Sequence, residues 1–253
     1  MISRARPLLG TIVSIRAAAS EEAVRSAFDA VETVHRLMSA QSESSDLSLI
    51  NHHAQRRAVP VHPWTLEVLR AARAMSWRTG GAFDVTLRRF GASFRDVELL
   101  HGRRVRLRRR AHLDLGGIAK GFAVDRAVAA LRRLGAKSGS VNAGGDLRVF
   151  GNLEPTIRVR LPGNPALAVP VCRIHGESVA TSAAYFGSRQ EDPRTGRALG
   201  HDCSITIRAR SCMLADALTK AVAVLGPRPG LLARYGATAY LLDGKGGLHA
   251  AVG

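Results

Sequence analysis

The chain has 253 residues, 46% of them hydrophobic and 23% charged, which excludes disorder and allows one large domain or two small ones. Its formal net charge is +17, but only Lys120, Lys137, Lys220 and Lys245 of its 37 basic residues are lysine. The arginines spread from Arg4 to Arg234, which argues against one nucleic-acid-binding face, and no nucleic-acid partner is expected.

In chain order, residues 8–17 read as a buried strand. Ser20 is a helix N-cap with Glu21 and Glu22 in the first turn, and Val24, Phe28, Val31 and Leu37 follow at helical spacing. The serine-rich stretch 39–48 reads as a loop. A second helix fits Pro63 to Arg78 and ends at Gly80-Gly81. The run Arg103–Arg110 alternates with Val105 and Leu107, so it reads as a strand with a wet basic face. A third helix fits Gly117 to Leu134, closed by Gly135. Residues 140–142 and 147–150 read as strands joined by the turn Ala143-Gly144-Gly145-Asp146. Strands fit 156–161, 168–175 and 203–209, a last helix fits Cys212 to Leu225, and a strand fits Ala237 to Leu242. Helices and strands alternate irregularly, which predicts an α+β fold in two interleaved lobes and not a doubly wound sheet.

Cys172, Cys203 and Cys212 have no CxxC spacing, so neither a disulfide framework nor a zinc knuckle is expected. Cys172 and Cys203 lie in apolar runs and read as buried small residues. No stretch approaches the roughly 18 apolar residues of a membrane span, and no apolar leader is visible. As written, the chain is expected in the cytoplasm, or in the periplasm if a leader precedes Met1.

Five segments have residue types suited to chemistry. Asp114-Leu-Gly-Gly-Ile-Ala-Lys-Gly121 follows a strand and opens a helix; glycines there let backbone N–H groups approach a phosphate, with Lys120 as an added charge. It matches neither a P-loop nor a dinucleotide fingerprint, and a plain strand-to-helix turn is the competing reading. Asn142-Ala-Gly-Gly-Asp146 reads first as a hairpin whose Asn and Asp bond their own backbone. Gly80-Gly-Ala-Phe-Asp84 offers an acid for a ribose or an amine, or only a helix end. Asp192-Pro-Arg-Thr-Gly196 reads as a turn in which Arg194, with Arg189 upstream, meets phosphates or solvent. Asp216 and Lys220 share one face of the last helix, as a surface pair or as a carboxylate holding a divalent ion near a diphosphate.

Taken together and in order, these segments resemble the ApbE family, the FAD:protein FMN transferases. The matching pieces are Leu9-Gly10-Thr11, Met38-Ser39 with Ser45 and Asn51, Gly81 to Asp84, Asp114 to Asp125, Val141 to Asp146, Thr181-Ser182, Asp192 to Gly196, and Ala215 to Leu218. The resemblance implies one ApbE-like domain over 1–253, with mixed sheets and packed helices. It implies FAD as substrate, magnesium at the pyrophosphate, and transfer of FMN to a threonine hydroxyl of a target flavoprotein, such as a subunit of a membrane redox complex, with release of AMP. Carried over position by position, Leu9, Gln41, Ala82, Phe83, Asp84, Asp114, Lys120 and Arg189 would touch FAD. The main-chain oxygen of Gly117 and the carboxylate of Asp216 would be magnesium ligands, and Asp216 and Lys220 would take part in catalysis.

The chain departs from the family pattern at four of these places. Gln41 stands where an aromatic is common, Arg189 stands where a histidine precedes Asp-Pro, and Thr181-Ser-Ala-Ala-Tyr185 lacks an acid. Lys220 replaces a metal-binding threonine. Either the Lys220 ammonium sits where the metal would and neutralises the same oxygens, or Lys220 points away and Thr219 or water completes the metal shell. A transferase is the leading expectation; an FAD-binding member of the same fold without transfer activity is the second.

Overall fold

The computed structural model describes residues 1–182, 191–200 and 203–253. The chain opens with strands β1 (Ile2–Leu8) and β2 (Thr11–Ala17), paired antiparallel with Leu8 opposite Thr11. The single strand expected over 8–17 is therefore the second arm of a hairpin. Its turn, Leu9-Gly10, has φ of +57° and +70°, the left-handed geometry that matches strand twist in a two-residue loop. A leucine in that conformation gives no turn signal, and the apolar run hides the break.

Helix α1 (Glu21–Met38) begins as expected, with Ser20 Oγ accepting from the Ala23 amide at 3.1 Å. It buries Val24, Phe28, Val31 and Leu37. The loop expected over 39–48 contains the start of a second helix, α2 (Asp46–His53), capped by Ser45 Oγ accepting from the Ser48 amide at 3.0 Å. Serine clusters suit loops and N-caps alike, and the run before it conceals the cap. After β3 (Val59–Pro60), helix α3 (Pro63–Arg78) has the expected bounds, with the proline in its first turn. Strands β4 (Val97–Leu100) and β5 (Arg104–Leu107) follow, and β5 exposes Arg104 and Arg106 while burying Val105 and Leu107.

Helix α4 (Ala119–Arg133) leads into β6 (Gly139–Ala143) and β7 (Asp146–Phe150). The hairpin β8 (Thr156–Leu161) and β9 (Asn164–Arg173) is next, β9 starting ahead of the expected residue 168. Then come β10 (Ser178–Ser182), β11 (Cys203–Ala209) and α5 (Cys212–Leu225). Helix α5 is not the last: α6 (Pro229–Tyr235) follows, then β12 (Thr238–Asp243) and β13 (Leu248–Val252). Cys212 is buried as a small core residue, whereas Cys172 and Cys203 are only half-buried, a correction to the expectation for both.

Among the described residues the strands form an eight-stranded sheet in the order β1-β2-β6-β7-β10-β11-β12-β13, a three-stranded sheet β3-β5-β4, and the β8–β9 pair. All named pairings are antiparallel, in keeping with α+β. Helix α4 packs between α1 and α5, and α4 and α5 lie on the large sheet. One apolar core joins this sheet (Val13, Ile207), the helices (Phe28, Phe122, Leu218) and the small sheet (Val105), so the two sheets share it. A smaller core under β8–β9 contains Val149, Ile157 and Leu242. No helix among the described residues is long and apolar enough to cross a membrane.

Two glycines bring motif segments into contact. A Cβ on Gly121 would lie 2.3 Å from the Cys212 carbonyl oxygen, so α4 and α5 cross in close backbone contact. A Cβ on Gly144, whose φ is +63°, would lie 2.6 Å from Thr11 Oγ1, which locks the β6–β7 turn against the start of β2.

Candidate active site

Two cavities meet at the segment that opens α4. The first, about 370 Å³, is lined by Ala82, Phe83 and Asp84 from the turn after α3, by Arg89, by Glu191 and Pro193, and by Lys220 of α5. The second, about 280 Å³, is lined by the Leu9-Gly10 turn, by His35 and Met38 at the end of α1, by Gln41, and by Lys120. Asp114 and Gly116 belong to both walls. Asp114 Oδ1 accepts from the Gly116 amide at 2.7 Å, a local turn that fixes the glycines ahead of α4. No side chain caps that helix start.

Behind the shared wall lies a cluster of charge. Lys120 Nζ is 3.1 Å from Asp146 Oδ2 and 3.7 Å from Asp216 Oδ2. Asp216 Oδ2 also accepts from the Gly121 amide at 3.4 Å. Both carboxylates are buried, at 4% and 2% side-chain exposure, while Lys120 keeps 30% and reaches the second cavity. Burial opposes the Lys120 charge, but Asp216 and Asp146 together outweigh it and hold its pKa above the usual lysine value. Burial, aided by the Asp216 charge, pushes the Asp146 carboxyl up to about 7.

Lys220 completes the group from the other side. Its stem lies across Gly117: a Cβ there would be 3.2 Å from Lys220 Cγ and 3.5 Å from Cε. Its Nζ donates to Ser182 Oγ at 2.9 Å, at the end of β10. Burial lowers the Lys220 pKa, and the attraction of Asp216 offsets part of that. The Asp216–Lys220 face of α5 is therefore interior, not a surface ion pair. Asp216 lies on neither cavity wall; its carboxylate faces the Lys120 ammonium and the Gly121 amide.

The structure thus gathers Leu9, Gln41, Ala82, Phe83, Asp84, Asp114, Gly117, Lys120 and Lys220 around two adjoining cavities. The Asp84 carboxylate is engaged within its own loop: its Oδ1 accepts from the Thr86 amide and hydroxyl at 2.9 and 2.8 Å, and its Oδ2 from the Phe94 amide at 2.9 Å. That carboxylate builds the loop that presents Phe83 and is not left for a ribose or an amine. Arg194 pairs with Asp192 at 2.8 Å, which draws the Asp192 carboxyl below the usual range. Arg189 and Tyr185 lie outside the described residues.

Sequence reasoning missed Asp146 and Asp125. Asn142 does cap its own turn, its Oδ1 accepting from the Gly145 amide at 2.9 Å, but Asp146 turns inward to Lys120. Asp125 of α4 accepts from Ser211 Oγ at 2.7 Å and from the Cys212 and Met213 amides at 3.0 Å, and so holds the start of α5. Both close a matched motif segment, and that placement was the available signal.

The comparisons with known proteins bear on this arrangement. A family model described as "ApbE family" matches residues 9–241, from the Leu9 turn to within β12. The chain belongs to the ApbE family. Its similar relatives include a FAD:protein FMN transferase of Vibrio cholerae, 26% identical over 89% of this chain and 81% of that protein. Another, of Treponema pallidum, is 29% identical over 88% of this chain and 78% of that protein. Among solved structures, the ApbE protein of Thermotoga maritima superposes with a TM-score of 0.86 at 25% identity, covering 99% of this chain and 96% of that one. The apo flavinyl transferase ApbE of Pseudomonas stutzeri gives 0.84 at 22% identity, over 99% and 94%. The mixed α+β architecture is thus that of the ApbE fold.

Within that fold, the residues of this ApbE chain do not fit a divalent cation at the Gly117–Asp216 position. The Lys220 stem covers Gly117, and Asp216 already faces the Lys120 ammonium. Thr219 does not supply the missing hydroxyl ligand, because it is buried and its Oγ1 donates to the Asp216 carbonyl at 2.7 Å. Asp146 and Asp216 thus already face ammonium charge, which weakens Asp216 as a ligand for a metal.

Proposed function

We propose that this chain is a flavin transferase that moves the FMN half of FAD onto a hydroxyl of an acceptor flavoprotein and releases AMP. The observation that carries the reading is the pair of neighbouring cavities that share Asp114 and Gly116 in their walls, with Lys120 lining one and Lys220 the other. That shape suits a ligand with two bulky ends and an anionic middle. FAD is such a ligand: an isoalloxazine, an adenosine and a diphosphate between them. The names of the relatives point the same way.

In this reaction the acceptor oxygen forms a new ester bond to the FMN phosphorus. The bond from that phosphorus to the bridging oxygen breaks, AMP leaves with the bridging oxygen, and the hydroxyl proton is lost to solvent or a base. Such a transfer asks mainly for positioning and for neutral surroundings as charge shifts to the leaving group. Lys120, anchored by two buried carboxylates, and Lys220, anchored by Ser182, supply fixed positive charge on both sides of the diphosphate. The resemblance also implies magnesium; the poor fit of the donor set leaves the lysines as the groups that this reading relies on.

The test is incubation with FAD and a flavin-acceptor domain, followed by a denaturing gel. Flavin fluorescence that stays on the acceptor, with AMP formed in equal amount, is the expected result. Gln41, an exposed polar residue on the second cavity wall, favours weaker flavin stacking and a second reading, FAD binding without transfer. Retained FAD with an unlabelled acceptor would select it.

A further inference from the structure

We propose that Lys220 is a built-in cation: with Lys120 it neutralises the FAD diphosphate, and this chain binds FAD without a divalent ion at the Gly117–Asp216 position. The inference rests on the flavin reading above and specifies its electrostatics.

Three observations carry it. The first is position. Lys220 does not point away from the site: its Cγ and Cε pack over Gly117, and the same side chain lines the first cavity. Its Nζ is tethered to Ser182 Oγ at 2.9 Å, so the ammonium is held at one place.

The second is charge. Asp146 and Asp216 are matched by Lys120 and Lys220 within one buried group. A divalent ion at the Gly117–Asp216 position would enter beside two ammonium groups, and like charges at short range in a buried site repel strongly. An incoming diphosphate meets the opposite situation. It brings negative charge to ammonium groups that are already in place, so little reorganisation is needed.

The third is residue choice. Only 4 of the 37 basic residues are lysine, yet two of the four stand here. A lysine presents a compact point charge on a slim stem, whereas the flat guanidinium of arginine needs room for its fork. The contact with Gly117 is made by carbons of the Lys220 stem. In a chain that otherwise favours arginine, a lysine here sets a compact charge beside Ser182.

The test measures FAD binding by flavin fluorescence, in EDTA and in excess magnesium, together with Mn²⁺ binding by electron paramagnetic resonance. Wild-type FAD affinity is expected to agree within about twofold between EDTA and magnesium, with no stoichiometric Mn²⁺ bound. Lys220→Met keeps the stem over Gly117 and removes only the charge; it should weaken FAD binding in EDTA roughly tenfold or more. Lys220→Thr should weaken it similarly, recover with magnesium, and bind Mn²⁺. The proposal is overturned if magnesium raises wild-type affinity tenfold, if the wild type binds one Mn²⁺, or if Lys220→Met binds FAD as the wild type does. Failure of all variants and the wild type to bind FAD would instead remove the flavin reading and this proposal with it.

Discussion

Asp146 is a buried carboxylate whose surroundings differ sharply from water. It sits beside a second carboxylate, and its pKa is pushed up to about 7. An unfolded aspartate titrates near 4. Between about pH 4 and 7 the folded chain therefore holds a proton at Asp146 that the unfolded chain has released, and stability contributed by this group falls as pH rises through that window. Above about 7 both states are ionised and the slope vanishes. Comparing thermal midpoints of wild type and Asp146→Asn isolates this one group. The wild type should lose ground to the variant from pH 4 to 7 and hold a constant difference above; a flat or rising difference would show Asp146 to be an ordinary carboxylate. None of this is legible in the sequence, where Asp146 closes a glycine turn and looks like its neighbour Asn142. The difference between them is made by Lys120, 26 positions away, which the fold alone brings to it.

At the scale of elements, the site depends on how α4 holds α5. Gly121 permits the backbone contact, and Asp125, one turn further along, takes the first amides of α5 and the Ser211 hydroxyl. Arg148 of β7 closes on the same carboxylate. Asp125→Ala removes a helix cap and strands a mostly buried arginine, so unfolding in urea should show a loss of about 3 kcal/mol. Asp125→Asn keeps an acceptor for the amides and should lose about half as much. FAD affinity should fall along the same series, because α5 carries Lys220 into the first cavity. Equal stability across the series would refute the role given to Asp125. Helices announced by local chemistry were readable: Ser20 with two glutamates for α1, and Pro63 for α3. Elements without a local signal were not, including the Leu9-Gly10 turn and α2 within its serine run.

Over the whole molecule, the net charge is +17, from basic residues spread along the sequence from Arg4 to Lys245. Several arginines lie flat on aromatic rings: Arg6 on Phe28 at 4.5 Å, Arg110 on Phe90 at 4.0 Å, and Arg126 against both Trp64 and Phe122 at 4.9 and 4.8 Å. These side chains cover apolar surface as well as carrying charge. The summed field still acts at a distance. Labelling of an acidic acceptor should slow roughly tenfold from low to physiological salt in its second-order rate constant, with the rate at saturation little changed. A second-order rate indifferent to salt would mean that charge does not steer the encounter. The motif segments were legible because glycines and charged residues at the ends of elements mark turns in the sequence itself. The α4–α5 crossing and the burial of the charge cluster were not, since both are made by residues distant in the chain.

That distance has a consequence for synthesis. Gly121 and Asp216, which meet in the site, are 95 positions apart. A nascent chain that has emerged only as far as Ser211 has Lys120 and Asp146 but neither Asp216 nor Lys220, and α4 has no neighbour on its Gly121 face. Closing so long a loop comes late in folding, after the local hairpins and helices. Ribosome-bound chains of increasing length should therefore acquire FAD protection against proteolysis in one step, only after α5 has left the tunnel. The flavin pocket would then serve as a seal that closes on the finished polypeptide.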